Sequence, residues 1–181
     1  HGVVYTETGL PPYILRARVV PLRNMGASQT PLNSFLIMQG IETLALRMDR
    51  NCDNTLAVAK YLEDHSQVEW VRYAGLDSSP HKALLDKYMG GRGSGVMSFG
   101  VKGGKEAAPK FIDALNLITR LVNIGDAKSL ACHPASTTHR QLSPEELATS
   151  GVSEDLIRLS IGIEHIDDII EDIEQALEAT K

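Results

Sequence analysis

The segment from Leu156 to Leu177, LIRLSIGIEHIDDIIEDIEQAL, indicates the fold class of this chain. Its first part, Leu156 to Ile163, is apolar or small at almost every position, which predicts a β-strand. Its second part has apolar residues at i, i+3, i+4, i+7 and i+11, namely Ile166, Ile169, Ile170, Ile173 and Leu177. The opposite positions are acidic: Asp167, Asp168, Glu171, Asp172 and Glu174. This pattern predicts an amphipathic helix packed on a sheet.

Outward from this segment, short strands alternate with helices. The predicted strands are Val68–Tyr73, Val96–Val101 and Ile118–Asn123. The predicted helices are Pro80–Met89, Lys105–Asn116 and one that follows the capping box Ser143–Glu146. Short strands separated by helices favour an α+β fold, in which helices cover one face of a small mixed or antiparallel sheet.

The first thirty residues differ from the rest, because they contain several prolines and show little periodicity. They are typical of a connecting segment. Thr30 and Pro31 then predict a helix start, and helical spacing continues from Leu32 to about His65. Kinks or breaks are predicted at Gly40 and at Asn51–Asn54. A helix of this length is often a strut between domains.

Composition excludes several kinds of partner and site. The net charge is −5 and the 18 Lys and Arg residues are scattered, which argues against a nucleic-acid partner. The apolar stretches are too short to cross a bilayer, and His1–Tyr5 lacks the features of a signal peptide. Two cysteines do not suggest a disulfide scaffold, so we expect reduced thiols and a cytoplasmic location.

A long segment from Asn123 to His139 is rich in small and polar residues and lies between two predicted strands. Such a loop can carry function, but a solvated connection has the same composition, and both interpretations stay open. His133 and His139 are six residues apart, next to Cys132, whereas zinc motifs use tighter pairs and a second pair. We therefore predict no metal site. Glu164 beside His165 is interpreted as a helix-start acid and a surface histidine.

Arg158 is the one charged residue in its predicted strand. An unpaired guanidinium costs several kcal/mol to bury, so Arg158 needs an anionic partner. That partner is either an internal Asp or Glu, or a ligand carboxylate, which arginine binds through two parallel hydrogen bonds. Spacing alone does not decide between them.

Four segments, in this order, carry a resemblance that extends over nearly the full length of the chain. They are Gly26–Met48, Asn123–Leu130, His133–His139 and Arg158–Glu164. Together they resemble the pyridoxal-phosphate enzymes of Cys/Met metabolism. The first is similar to that family's entry into its C-terminal domain, the middle two to its substrate loop, and the last to its closing strand.

The resemblance implies the small C-terminal domain of a fold-type I, aspartate-aminotransferase-like enzyme. Residues 1–44 would then be the end of the large cofactor-binding domain and the connecting helix, and residues 45–181 the small domain. It also implies small-molecule substrates, a homo-oligomer that is a tetramer, and a role in sulfur amino-acid metabolism.

Within the family, Thr137–His139, the following Gln141–Ser143 and Lys128 resemble the O-acetylhomoserine sulfhydrylase branch. That branch uses O-acetyl-L-homoserine with sulfide or methanethiol, in methionine biosynthesis and transsulfuration. Val122 implies an apolar wall where some cystathionine enzymes have an acid. The alternatives are a methionine γ-lyase, a cystathionine γ-synthase, or a binding module without catalytic activity.

Four substrate-binding residues are carried over from the family. Arg158 matches the arginine that binds the substrate α-carboxylate, Asn123 the residue that approaches this carboxylate, and Thr138 a threonine of the pocket; Val122 is the apolar wall. No lysine matches the one that carries pyridoxal phosphate, which the upstream segment of the same protein would bind. We therefore expect no catalytic, cofactor-binding or metal-binding residue in this chain, and no activity from it alone.

Overall fold

The computed structural model describes Gly2 and residues 4–181, and it divides into two compact units, His1–Thr43 and Leu44–Lys181. Most of the described residues of the first unit are helical. A helical run covers α1 (Pro12–Ala17), a π-helical turn (Arg18–Leu22) and α2 (Arg23–Met25). The weak periodicity of this stretch therefore did not mean irregular structure.

Helix α3 (Pro31–Glu42) begins as predicted, because the Thr30 hydroxyl accepts a hydrogen bond from the Asn33 backbone N–H at 3.2 Å. Its apolar side chains are all more than half exposed: Leu32, Phe35, Leu36, Ile37, Met38 and Ile41. A helix that is apolar all round is normally one that a larger protein buries.

The predicted long helix is in fact two helices. Helix α4 (Leu44–Glu63) follows α3 after a break at Thr43, and Gly40 lies within α3. The prediction of a break at Asn51–Asn54 is wrong, since α4 runs through it without interruption. The two asparagine amides bond to segments outside the helix, so they do not compete for the helix's own hydrogen bonds.

The second unit is built on a five-stranded mixed sheet. The strands are β1 (Val68–Arg72), β2 (Val96–Val101), β3 (Thr119–Arg120), β4 (Leu130–Cys132) and β5 (Leu156–Ser160). Their order is β1-β2-β5-β4-β3, with antiparallel neighbours except for the parallel pair β3 and β4. Strand β4 was not predicted, because it is only three residues long and lies within the polar segment.

The helices of this unit are α4, α5 (Lys82–Met89), α6 (Gly104–Ala114), α7 (Pro144–Thr149) and α8 (Ile166–Glu178). The capping box predicted for α7 is present, with reciprocal bonds between Ser143 and Glu146. No helix of the described residues is long and apolar enough to cross a membrane.

Alternation along the strands gives the sheet two different faces. Phe99, Ile157 and Leu159 are fully buried and pack with α4, α6 and α8 in one core. On β2, β5 and β4 the alternate positions Ser98, Arg158 and Cys132 are register partners, so they form one row on the other face.

Helix α8 differs from its predicted pattern at one position. Asp172, expected on the exposed side, is 5% exposed. Its carboxylate accepts the backbone N–H groups of Asn116, Leu117 and Ile118 at 2.8–3.0 Å. The acid therefore anchors the entry to β3.

Candidate functional site

Arg158 lies in the central strand of the sheet, on the face opposite the helical core. It is partly exposed, less shielded from water than its apolar strand suggests. Its guanidinium donates a weak hydrogen bond to the Asn123 carbonyl oxygen at 3.4 Å. None of the ion pairs formed within residues 4–181 includes Arg158. The internal carboxylate partner that the sequence left open is thus missing from the part of the chain that the structure describes.

Cys132 is the β4 neighbour of Arg158 and is buried. Burial raises the pKa of its thiol, although the nearby positive charge of Arg158 opposes this shift. The thiol is consequently protonated at neutral pH, and no negative charge on it neutralises Arg158.

The loop that carries Asn123 is held by its own side chains. The Asn123 amide donates to the Asp126 carboxylate at 3.0 Å, and its Oδ1 accepts the Ile124 backbone N–H at 2.9 Å. Asp126 also accepts the Lys128 backbone N–H at 3.1 Å, and this bond and the one from Asn123 lower the pKa of Asp126. Because the Asn123 side chain is engaged, it is the backbone carbonyl that faces Arg158.

A cavity of about 330 Å³ lies beside Arg158, and no acidic side chain lines it. Its polar walls include Ser98, Arg158 and His139. Thr138 is exposed and does not line this cavity, but its hydroxyl is 2.8 Å from Nδ1 of His139. Thr138 therefore reaches the cavity only through His139.

Val122 is 47% exposed and lines a different cavity, of about 450 Å³. The other walls of that cavity are mostly apolar, and Cys132 belongs to them. The structure therefore brings Arg158 and Asn123 together, with Thr138 one residue from the first cavity and Val122 in the neighbouring one.

The His133 side chain is held inside the fold by hydrogen bonds at both ring nitrogens. It is buried, with Nδ1 2.8 Å from the Ser136 hydroxyl and Nε2 2.8 Å from the Glu154 carbonyl oxygen. Among the described residues, no group of three or more His, Cys, Asp or Glu side chains could hold a metal ion.

Sequence reasoning missed a buried clamp behind the loop. Glu164, interpreted as a helix-start acid, accepts the Ser129 backbone N–H at 2.6 Å and the Ser129 hydroxyl at 2.9 Å. The Asn54 amide donates to the carbonyl oxygens of Gly162 and Glu164, each at 3.0 Å. Gly162 has no room for a Cβ atom between Ala127 and Glu164. A signal was present in Asn51 and Asn54, two amides three residues apart on one helix face.

The chain matches known proteins over nearly its whole length. A family model described as Cys/Met metabolism PLP-dependent enzyme covers residues 2–178. Over 179 residues the chain is 50% identical to a homocysteine synthase of Schizosaccharomyces pombe, covering 98% of this chain and 42% of that protein. It is 47% identical to an O-acetyl-L-homoserine sulfhydrylase of Thermus thermophilus, again covering 98% and 42%. An L-methionine gamma-lyase of Pseudomonas deceptionensis is 46% identical, with 98% and 44% covered.

A solved structure agrees in fold. It is a protein from Campylobacter jejuni assigned as an O-acetylhomoserine (thiol)-lyase, with a TM-score of 0.89, 42% identity and coverage of 98% of this chain and 42% of that one. It carries N'-pyridoxyl-lysine-5'-monophosphate. These matches confirm the family resemblance and the α+β fold of a small C-terminal domain of fold type I. The chain spans about 42% of the length of the relatives from S. pombe and T. thermophilus.

Proposed function

Because the chain belongs to the family of pyridoxal-phosphate-dependent enzymes of Cys/Met metabolism, we propose that it is the substrate-binding C-terminal part of an O-acetylhomoserine sulfhydrylase (O-acetylhomoserine aminocarboxypropyltransferase). The complete enzyme converts O-acetyl-L-homoserine and sulfide to homocysteine and acetate. With methanethiol as the nucleophile, the product is methionine.

The observation that carries this proposal is the state of Arg158. Its only hydrogen bond within residues 4–181 to an oxygen is long, and that oxygen is a neutral carbonyl. A cavity without acidic walls adjoins it. An α-carboxylate would satisfy the guanidinium with two charge-assisted hydrogen bonds, which are about twice as strong as neutral ones.

Each of the four site residues has a role in this proposal. Arg158 binds the α-carboxylate and thereby fixes the orientation of Cα–H. The Asn123 carbonyl accepts a hydrogen bond from the guanidinium, and Thr138 acts on the pocket through His139. Val122 presents an apolar wall, which favours a small sulfur nucleophile over one that carries an amino group.

The described residues do not fit the cofactor itself. None of the eight lysines of the chain lines the cavity beside Arg158 or the cavity beside Val122. Lys82 and Lys105 are paired with Asp86 and Glu154 on the surface. We therefore assign pyridoxal phosphate to the upstream part of the protein, where it supplies the electron sink for the charge that forms at Cα.

Helix α3 supports the domain assignment that we propose. Its apolar surface on all sides supports the proposal that residues 1–44 form the end of the large cofactor-binding domain and the connecting helix, and residues 45–181 the small domain. The proposal includes a homotetramer, which light scattering of the complete protein would test. It also includes a cytoplasmic location.

A methionine γ-lyase is the second candidate, because the relative of that name is almost as similar as the sulfhydrylases. Cystathionine γ-synthase is disfavoured by Val122, and a binding module without catalysis requires that no upstream lysine exists.

Steady-state assays of the complete protein distinguish these functions. We expect turnover of O-acetyl-L-homoserine with sulfide or methanethiol, and a higher kcat/KM for sulfide than for cysteine. Faster elimination from methionine would instead assign a lyase, and a preference for cysteine would assign a cystathionine γ-synthase. Absence of every activity in a complete protein that binds no pyridoxal phosphate would leave the binding module.

A further inference from the structure

Asn51 joins three separate parts of the second unit. It lies in the middle of α4 and is 1% exposed. Its amide Nδ2 donates to the Ile161 carbonyl oxygen at 2.5 Å, just beyond β5, and to the Asp126 carbonyl oxygen at 3.1 Å. One amide therefore links a helix of the core, the end of the Arg158 strand and the loop that carries Asn123.

The loop connects this contact to Arg158, on the face of the sheet opposite the helical core. Asp126, whose carbonyl Asn51 holds, accepts the Asn123 side chain with its carboxylate. The Asn123 carbonyl oxygen in turn accepts a hydrogen bond from the Arg158 guanidinium. A second fixed point is the bond from the Ile163 N–H to the Ala127 carbonyl at 2.9 Å. The path from α4 to the guanidinium thus has three hydrogen-bonded steps.

The neighbouring amide has a different target. Asn54 bonds only to carbonyl oxygens of Gly162 and Glu164, which follow the strand, and not to the 123–128 loop. Asn51, in contrast, ties α4 directly to this loop through the Asp126 carbonyl oxygen.

We propose that Asn51 is a positioning residue of the carboxylate site, which acts through the 123–128 loop to hold the Asn123 carbonyl and the Arg158 guanidinium in their relative places. This inference rests on the proposed function, because it assumes that Arg158 binds the substrate carboxylate. Asn51 itself does not contact substrate; it limits how far the guanidinium can move before binding.

The test compares Asn51→Ala with Thr55→Val in the complete enzyme. Thr55 is fully buried one turn later on α4, and its hydroxyl bonds only to the Asn51 carbonyl within the helix, at 2.6 Å. Both variants lose buried hydrogen bonds, but Thr55→Val leaves the loop untouched. We expect Asn51→Ala to raise KM for O-acetyl-L-homoserine about five- to thirtyfold with kcat nearly unchanged, and Thr55→Val to change neither by more than about twofold.

Hydrogen–deuterium exchange provides a readout that needs no turnover. Amides of residues 123–128 should exchange faster in Asn51→Ala than in wild type, and at the wild-type rate in Thr55→Val. Equal effects of the two variants on KM, or no change in either KM or exchange for Asn51→Ala, would overturn the proposal. If wild type does not use O-acetyl-L-homoserine at all, the proposed function fails, while the exchange comparison still tests the coupling of Asn51 to the loop.

A surface variant covers the case in which Asn51→Ala does not fold. Asp126→Ala removes the middle step of the same path, the carboxylate that accepts the Asn123 amide, and leaves the buried Asn51 unchanged. It should show the same split, with a raised KM, little change in kcat and faster exchange in the loop. Wild-type KM and exchange in Asp126→Ala would mean that the path does not hold Arg158, and would also overturn the proposal.

Discussion

The two faces of β5 differ in how completely the described residues bury and pair their side chains. On one face Ile157 and Leu159 are completely buried and pack with three helices. On the other face Arg158 is partly exposed, and its one hydrogen bond to an oxygen within residues 4–181 is long, at 3.4 Å. Successive residues of the same strand thus serve two purposes: Ile157 and Leu159 stabilise the unit, whereas Arg158 leaves a cation available for a ligand. If this contrast is right, mutations on the two faces should separate stability from activity.

Leu159→Ala should have the largest effect and should act on stability alone. Removing this buried side chain leaves a cavity in the core, so we expect the free energy of unfolding to fall by about 2–5 kcal/mol. Urea denaturation measures this change, and kcat/KM of the folded fraction should stay near wild type. A large loss of kcat/KM in protein that remains folded would show that the two faces are not independent.

Arg158→Lys should have the opposite profile. The charge is kept but the planar fork is lost. We therefore expect kcat/KM for O-acetyl-L-homoserine to fall on the order of 30- to 1000-fold, which corresponds to a loss of roughly 2–4 kcal/mol of transition-state stabilisation. The melting temperature should change little. Arg92→Lys is the matched control, because Arg92 already pairs with Asp49 and Asp53 on the surface. A lower melting temperature with normal kcat/KM would make Arg158 a structural residue.

Glu164→Gln sharpens the comparison at the end of the strand. Its two carboxylate oxygens each accept one hydrogen bond from Ser129, and the amide keeps the shape but has only one oxygen to accept them. We expect a loss of about 1–2 kcal/mol in the free energy of unfolding. Glu171→Gln, on the exposed side of α8, should be neutral. Equal stability of the two variants would show that the hydrogen bonds between Glu164 and Ser129 do not stabilise the fold.

The smallest expected effect is a pH dependence of the 123–128 loop. The pKa of Asp126 is lowered by the Lys128 backbone N–H and the Asn123 amide. Because the pKa is lower in the folded state, the ionised carboxylate stabilises the loop at pH values above its ordinary pKa of 3.8. This stabilisation is lost as the pH falls through the lower pKa of the folded state. An NMR titration of the Asp126 carboxyl group should give a midpoint below 3.8, and a midpoint at or above 3.8 would contradict the loop geometry.

The sequence predicts elements whose pattern is local. Strand β2 has the predicted bounds Val96–Val101, and α8 follows its apolar spacing from Ile166. Contacts between distant segments were not predictable in this way. The partners of Asn51 lie 75 and 110 residues away, and no local pattern distinguishes an amide that breaks a helix from one that bonds across the fold.

The same limit applies to the site. The resemblance singled out Arg158 and Asn123 by their motifs, and the structure places them in contact. The resemblance could not show that Thr138 lies outside the cavity beside Arg158 or that Val122 lines another cavity, because those facts depend on side-chain directions. Nor could composition show that Asp172 is buried, since an acid opposite an apolar stripe is normally exposed.

The pairing of Arg158 with the substrate carboxylate is tested most directly with a substrate whose α-carboxylate is replaced by a carboxamide. The ratio of kcat/KM for O-acetyl-L-homoserine to that for its α-amide is measured in the complete wild-type enzyme and in Arg158→Ala. If the two groups bind each other, wild type should prefer the carboxylate on the order of 100-fold, and the variant should show almost no preference. An equally strong preference in Arg158→Ala would mean that another group binds the carboxylate, and would contradict the role assigned to Arg158.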